Sequence, residues 1–352
     1  MTTNEIIAHR LLNQRIAESE FKEPAEVVTW MVAMQAQVWD MAKWAIGLRL
    51  PGSTNESIEK AFNDGLILRT HLMRPTWHFV TPADIRWLLQ LTAPRVHAVN
   101  AYMYRQTGLD NRKLNRSTNL LAKALVDGKY LIRDDLKKSL DQVKLSGDGT
   151  QLSCVMMYAE LEGVICSGPR LGKQFSYALM DERVPSKNSF TRDESLAEFT
   201  KRYFQSRGPA TLQDYSTWSG LSMKDVREGV ELNSSILVKE KWEEKEYFLN
   251  PSELKDLKKL QTTFLMPDYD EYGMAYKNRE AMIDPIVISM QKLMKDESYS
   301  HFIIVDGKVA GIWKRSQMGK ALAVETTYFA PLSKTKEQAV EKAVKKYPKF
   351  FE

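Results

Sequence analysis

Leu68 to Val80, LRTHLMRPTWHFV, gathers His71, His78, Arg69, Arg74 and Trp77 into thirteen residues of a chain that has only five histidines. The spacing fits no metal site, and no nucleophile is followed by its base. Arginine and indole interleaved on a short extended segment instead suit a polyanion whose bases can be stacked upon. Upstream, Gln35-Ala36-Gln37 places two amides two residues apart. Each offers a carbonyl acceptor and an NH2 donor, which can hold a water but cannot take its proton at neutral pH. On a helix, residues two apart diverge by about 200°, so both amides reach one ligand only from extended or turn backbone. The helix preceding them must therefore end by Met34. The plainer alternative has one Gln in solvent and the other capping a helix end.

The elements that must position these groups are read from periodicity. Glu5–Glu18 and Pro24–Met34 have helical spacing, and a third helix, Ser57–Asp64, is opened by Thr54 and stopped by Gly65. Two β-favouring runs, 67–72 and 76–81, follow around Arg74-Pro75. Three helices and a hairpin form the order of a winged helix. That order recurs as 117–126, 133–142 and 150–162 with strands 163–166 and 174–179 about a Gly168-Pro169 turn. It recurs again as 195–205, 211–219 and 222–231 with strands 237–240 and 246–249. Thr211 and Ser222 are placed as N-caps, and Gly220-Leu221-Ser222 suits the turn of a helix-turn-helix. From about residue 253 the pattern turns β-rich: 264–266, 301–305, 309–313 and 324–329, with Asp306-Gly307 as a type I′ hairpin signal and a closing helix over 335–346.

Composition bounds these readings. The chain has 352 residues, 43% hydrophobic and 27% charged, as in an ordinary folded protein. A net charge of +5 permits nucleic-acid binding without demanding it. Cys154 and Cys166 are too few for a disulfide framework or a zinc site and read as reduced core thiols. No apolar run reaches the roughly 18 residues of a membrane span, and the N-terminus lacks a signal peptide's pattern. The expectation is a cytoplasmic monomer with no cofactor, no metal and no membrane partner.

Four segments carry a resemblance. Leu68–Val80, SRGPATLQDYSTWSGLSMKDVREGV (206–230), LMPDYDEYGMAYKNR (265–279) and VDGKVAGIWKR (305–315) resemble, in order, segments of the winged-helix DNA glycosylase family of AlkZ and YcaQ. The resemblance implies an α+β fold of three tandem winged helices in a C-shape and a small C-terminal β-rich domain, divided as 1–100, 101–190, 191–252 and 253–352. It also makes Gln35 and Gln37 the catalytic Gln-Φ-Gln motif, with the small Ala36 a mild departure at the apolar position. The implied partner is double-stranded DNA with alkylated or crosslinked purines.

An N3- or N7-alkylated purine is already cationic and leaves without being protonated, so a positioned water suffices where ordinary glycoside cleavage needs carboxylates. The expected activity is therefore that of a monofunctional DNA glycosylase, with water held by Gln35 and Gln37. Absence of a lysine beside the pair, Lys43 being the nearest, argues against a Schiff-base lyase. The alternative is a winged-helix DNA-binding protein without catalysis.

Arg69, His71, Arg74, Trp77, Lys308 and Arg315 are the candidates for DNA contact, each set against a structural role. His78 reads as a satisfied histidine of the wing. Asp268 and Tyr269 are candidate supporting residues in the PDYDEY run, whose acids find charge partners in Lys277 or Arg279.

Overall fold

The computed structural model describes residues 1–184, 190–251, 260, 262–284, 287, 301–318 and 321–352. Its first helix, α1 (Thr3–Asn13), is opened by a capping box between Thr2 and Glu5. α1 has its apolar residues in a different cluster from those of the three helices that follow. Its apolar face, Ile6, Ile7 and Leu11, packs with Phe264, Tyr272, Phe302 and Ile304 of the C-terminal region.

The first unit takes its three helices from α2 (Pro24–Met31), α3 (Trp39–Gly47) and α4 (Asn55–Asn63). Between α2 and α3 lies the two-residue strand β1 (Met34–Gln35), and after α4 comes the hairpin β2 (Leu68–His71) and β3 (Trp77–Val80). The sheet order is β1-β3-β2, with Met34 opposite Phe79 and Gln35 opposite His78. α2 starts with Pro24 in its first turn, where the missing N–H costs nothing. It stops at Val32, whose φ of +54° is a costly conformation for a β-branched residue.

The same sequence of elements returns twice. α5 (Ile85–Gln106) leads to α6 (Asn111–Leu125), β4 (Leu131–Ile132), α7 (Arg133–Asp141), α8 (Gly149–Leu161), β5 (Ile165–Leu171) and β6 (Gln174–Leu179). The sheet order, β4-β6-β5, again sets the short strand against the second hairpin strand. Gly168 and Pro169 are not the turn expected from their types: β5 runs through them with a bulge after Ser167, and the chain reverses at Gly172-Lys173. A short helix, α9 (Met180–Arg183), follows.

The third round is α10 (Arg192–Arg207), α11 (Leu212–Ser219), α12 (Met223–Leu232), β7 (Val238–Trp242) and β8 (Lys245–Leu249). Here the short strand has shrunk to one bridge, Ala210 to Phe248. Thr211 and Ser222 cap α11 and α12 with full capping boxes, as their types require.

The C-terminal region forms β9 (Phe264–Leu265), α13 (Glu271–Met274), β10 (Phe302–Val305), β11 (Lys308–Met318), β12 (Ala321–Tyr328) and α14 (Lys334–Phe351). The sheet order is β12-β11-β10-β9. Asp306 and Gly307 have φ of +52° and +72°, the pair of positive values a type I′ turn needs. This region completes its core with the first unit. Val340, Tyr347 and Phe350 of α14 share one apolar cluster with Trp44, Ile46 and Phe62, and the Trp44 indole donates to the Leu265 carbonyl (3.0 Å). Cys154 and Cys166 are buried free thiols.

Candidate active site around the paired glutamines

α2 ends three residues before Met34, so Gln35 lies in extended backbone as the last residue of β1, and Gln37 lies in the bend that follows. The ladder continues one residue past β1, because the Ala36 N–H donates to the Trp77 carbonyl (2.8 Å). Ala36 is fully buried in the first unit's core, Gln35 is 6% exposed, and Gln37 is open to solvent. A small apolar residue suits the middle position because its side chain enters a packed cluster with Met34 and Phe79.

The motif is held through Glu271 on one side and through Arg207 at the turn that precedes it. The Gln35 backbone N–H donates to Glu271 Oε1 (2.9 Å). The other carboxylate oxygen, Oε2, accepts from Arg207 Nε (3.0 Å), Arg207 Nη2 (2.8 Å) and Trp218 Nε1 (2.8 Å). Arg207 in turn donates to the carbonyls of Met31 (2.9 Å) and Ala33 (2.7 Å), which flank the strained Val32. Its guanidinium also lies 4.3 Å from the Trp218 ring. Both charged side chains are buried. With four donors on it and the residue buried, Glu271 is committed to holding the strand and its neighbours. One residue before it, Asp270 pairs bidentately with buried Arg49 (2.8 and 3.0 Å) and caps α13 through the Tyr272 N–H. The two buried acids of PDYDEY thus find their charge partners in Arg49 and Arg207, not in the neighbouring Lys277 or Arg279.

The register of β2 and β3 sorts the remaining candidates. Gln35, His78 and Thr70 are cross-strand neighbours on one face, whereas Arg69 pairs with Phe79 and His71 with Trp77 on the other. Arg74, at the turn, reaches the glutamine side: its Nη2 donates to Gln35 Oε1 (3.3 Å), and burial lowers its pKa despite Glu271 nearby. Arg69 Nε donates to the Ala36 carbonyl (2.9 Å), and its guanidinium lies 4.2 Å from Trp77 and 4.6 Å from Phe175. Burial brings its pKa down to about 10, which leaves it charged at neutral pH. His71 Nδ1 is paired with Glu160 of α8, and its ring lies tilted against Trp77 with centroids 4.4 Å apart. Fully buried His78 donates its Nδ1–H to the Thr76 carbonyl (3.0 Å), which fixes Nδ1 as the protonated nitrogen. Burial, with Arg74 close by, holds its pKa well below the ordinary histidine range.

Lys308 and Arg315 are not part of this cluster. Lys308 is exposed beside the Asp306-Gly307 tip, which rests against α1 through Gly307 and Ile7. Arg315 Nη1 pairs with Asp40 Oδ2 (3.0 Å) in the first turn of α3. Asp268 faces His301 (3.5 Å), and Tyr269 has a φ of +58°. Lys43 is buried between Glu59 (2.8 Å) and Asp40 (3.7 Å), an ion-paired ammonium unsuited to attack a sugar carbon. A cavity of about 870 Å³ lies elsewhere, against Met223, Phe248, Met266, Met274 and Met282, and contains neither glutamine.

Sequence reasoning missed Arg207 and Glu271. The available signal was the arginine directly before Gly208-Pro209 and the acid run at 268–271; nothing local linked the two.

A family model described as DNA glycosylase AlkZ-like matches residues 28–350. An interstrand DNA cross-link repair glycosylase of Streptomyces sahachiroi is 25% identical over 229 residues, covering 62% of this chain. The match spans 60% of that relative's own length. Among solved structures, the Streptomyces sahachiroi DNA glycosylase AlkZ superposes with a TM-score of 0.80 at 22% identity, over 97% of this chain and 95% of the other. The shared fold is mixed helix and strand. Among the described residues, no helix is long and apolar enough to cross a membrane.

Proposed function

The chain belongs to the AlkZ-like DNA glycosylase family, and from that premise we propose that it hydrolyses the N-glycosidic bond of cationic N-alkylated purines in double-stranded DNA. Its three helix-turn-helix-plus-hairpin rounds act as tandem winged helices, and the C-terminal sheet backs the first of them. Crosslinked purines belong to the same substrate class, since the curated relative is named for interstrand crosslink repair and a crosslink through N7 carries the same positive charge.

The observation that carries this reading is the Gln35-Ala36-Gln37 segment, extended at Gln35, tied down at both its N–H and its preceding turn, and open to solvent at Gln37 in the bend that follows. Gln37 holds the water and Gln35, itself oriented by Arg74, completes the polar wall. The water oxygen bonds to C1′ as the C1′–N9 bond breaks. The bonding pair enters the purine and cancels its positive charge, and the water's proton passes to solvent. No general base is needed for such a leaving group, which accords with a Glu271 carboxylate buried and engaged by four protein donors. The ion-paired Lys43 favours hydrolysis over lyase chemistry.

The test uses duplex DNA containing one N7-methylguanine, treated with hot alkali after incubation. Wild type yields strand breaks, Gln37→Ala yields at least tenfold fewer, and uracil-containing duplex is untouched. No breaks with wild type would leave a DNA-binding protein without catalysis, and efficient uracil release would refute the mechanism.

A further inference from the structure

We propose that the solvent face of α5 is a DNA-backbone track leading away from the glutamine pair, with Arg95 and Arg105 as phosphate contacts and Tyr102 packed against the sugar or base. This rests on the DNA reading above.

In a helix-turn-helix the second helix ordinarily enters the major groove. None of the three does so readily here on charge. α4 sets Glu56 and Glu59 against Lys60, α8 has no Lys or Arg, and α12 sets Asp225, Glu228 and Glu231 against Lys224 and Arg227. Backbone neutralisation must come from another surface. Residues 85–126 hold seven Lys or Arg and a single acid, Asp110, in a chain whose totals are 50 and 45. α5 itself contains no acid.

The face exposed by α5 is continuous with the site. Gln35 is touched by Arg74, whose stem lies against Gly220. The Gly220 carbonyl accepts from Arg95 Nε (3.4 Å). From Arg95 the helical repeat carries one stripe through Val99 and Tyr102 to Arg105, about 15 Å along the axis. Val99 and Tyr102 are 61% and 60% exposed. Apolar side chains held out between two arginines match a ligand that alternates phosphate with sugar and base, as a nucleic-acid strand does.

The test is fluorescence anisotropy of the full chain with labelled, undamaged duplex over a salt series. Arg105→Ala is expected to reduce the slope of log affinity against log salt by about 1, and Arg105→Lys to restore it. Tyr102→Ala is expected to weaken binding about tenfold with the slope unchanged. Both side chains are exposed, so thermal melts should match wild type. Binding by wild type with both Ala variants unaltered overturns the track and leaves the DNA reading standing. Absence of wild-type binding overturns both. A change of apparent mass on gel filtration with Tyr102→Ala assigns the face to a protein contact and overturns the proposal.

Discussion

Glu271→Gln is the perturbation that separates the support of the glutamine strand from the glutamines themselves. The native carboxylate accepts one backbone N–H at Oε1 and three side-chain N–H groups at Oε2. An amide keeps one acceptor. Turned toward Arg207 and Trp218, it presents NH2 to the Gln35 N–H; turned the other way, it presents NH2 to three donors. One unsatisfied buried donor costs about 1–3 kcal/mol. Arg207 also loses its counter-ion while staying buried, which brings the total to about 3–5 kcal/mol. Trp218→Phe removes one donor and leaves the ion pair, so its cost should be about 1 kcal/mol for the lost bond. Urea unfolding monitored by circular dichroism measures both. Single-turnover release of N7-methylguanine should fall about tenfold to a hundredfold in Glu271→Gln, the range a displacement of order 1 Å produces, with affinity for duplex unchanged. A Glu271→Gln protein within about 1 kcal/mol of wild type and excising at full rate would refute the claim that this carboxylate sets the strand.

Two further outcomes follow from the same geometry. His78 is neutral when folded and takes a proton when unfolded below about pH 6.5, so the unfolded state binds more protons and stability falls as pH drops through that value. The loss approaches about 1.4 kcal/mol per pH unit for one such histidine. His78→Asn should flatten the decline between pH 7 and 5 without abolishing it, since burial also lowers His9 and His97; identical pH dependence in wild type and variant would contradict this. Gly307→Ala places a side chain at φ +72° and drives its Cβ into Ile7, whereas Gly172→Ala at φ +61° meets open space. Unfolding measurements should show about 2–5 kcal/mol lost for the first and about 1–2 for the second, and equal losses would count against the packing of the hairpin tip on α1.

The elements with explicit start and stop chemistry were legible in the sequence. α11 and α12 announce themselves through Thr211 and Ser222, and the β10–β11 hairpin through Asp306-Gly307. α3 was not, because its N-cap, Val38, makes no side-chain cap bond. α5 was hidden by Pro94, which sits inside a helix that continues past it. β1 is two residues long and has no periodicity to read. The site divides in the same way. The requirement that the helix stop by Met34 could be stated from the Gln35–Gln37 spacing, and α2 stops at Met31. Arg207 and Glu271 lie 64 residues apart, and Glu271 lies 236 from Gln35, so their pairing is a product of tertiary packing. The concentration of His, Arg and Trp at 68–80 drew attention to the hairpin, yet alternation puts Arg69, His71 and Trp77 behind the strand that carries Gln35.

The carboxylate that holds the Gln35 N–H also sets a timetable. A chain synthesised from its N-terminus can form α2, β1 and the β2–β3 hairpin long before residue 271 exists. Until Glu271 arrives, Arg207 has no counter-ion and the Gln35 N–H has no acceptor. The glutamine strand therefore reaches its final placement only after synthesis has passed residue 271 and that segment has docked, so shorter partial chains carry the motif without its geometry.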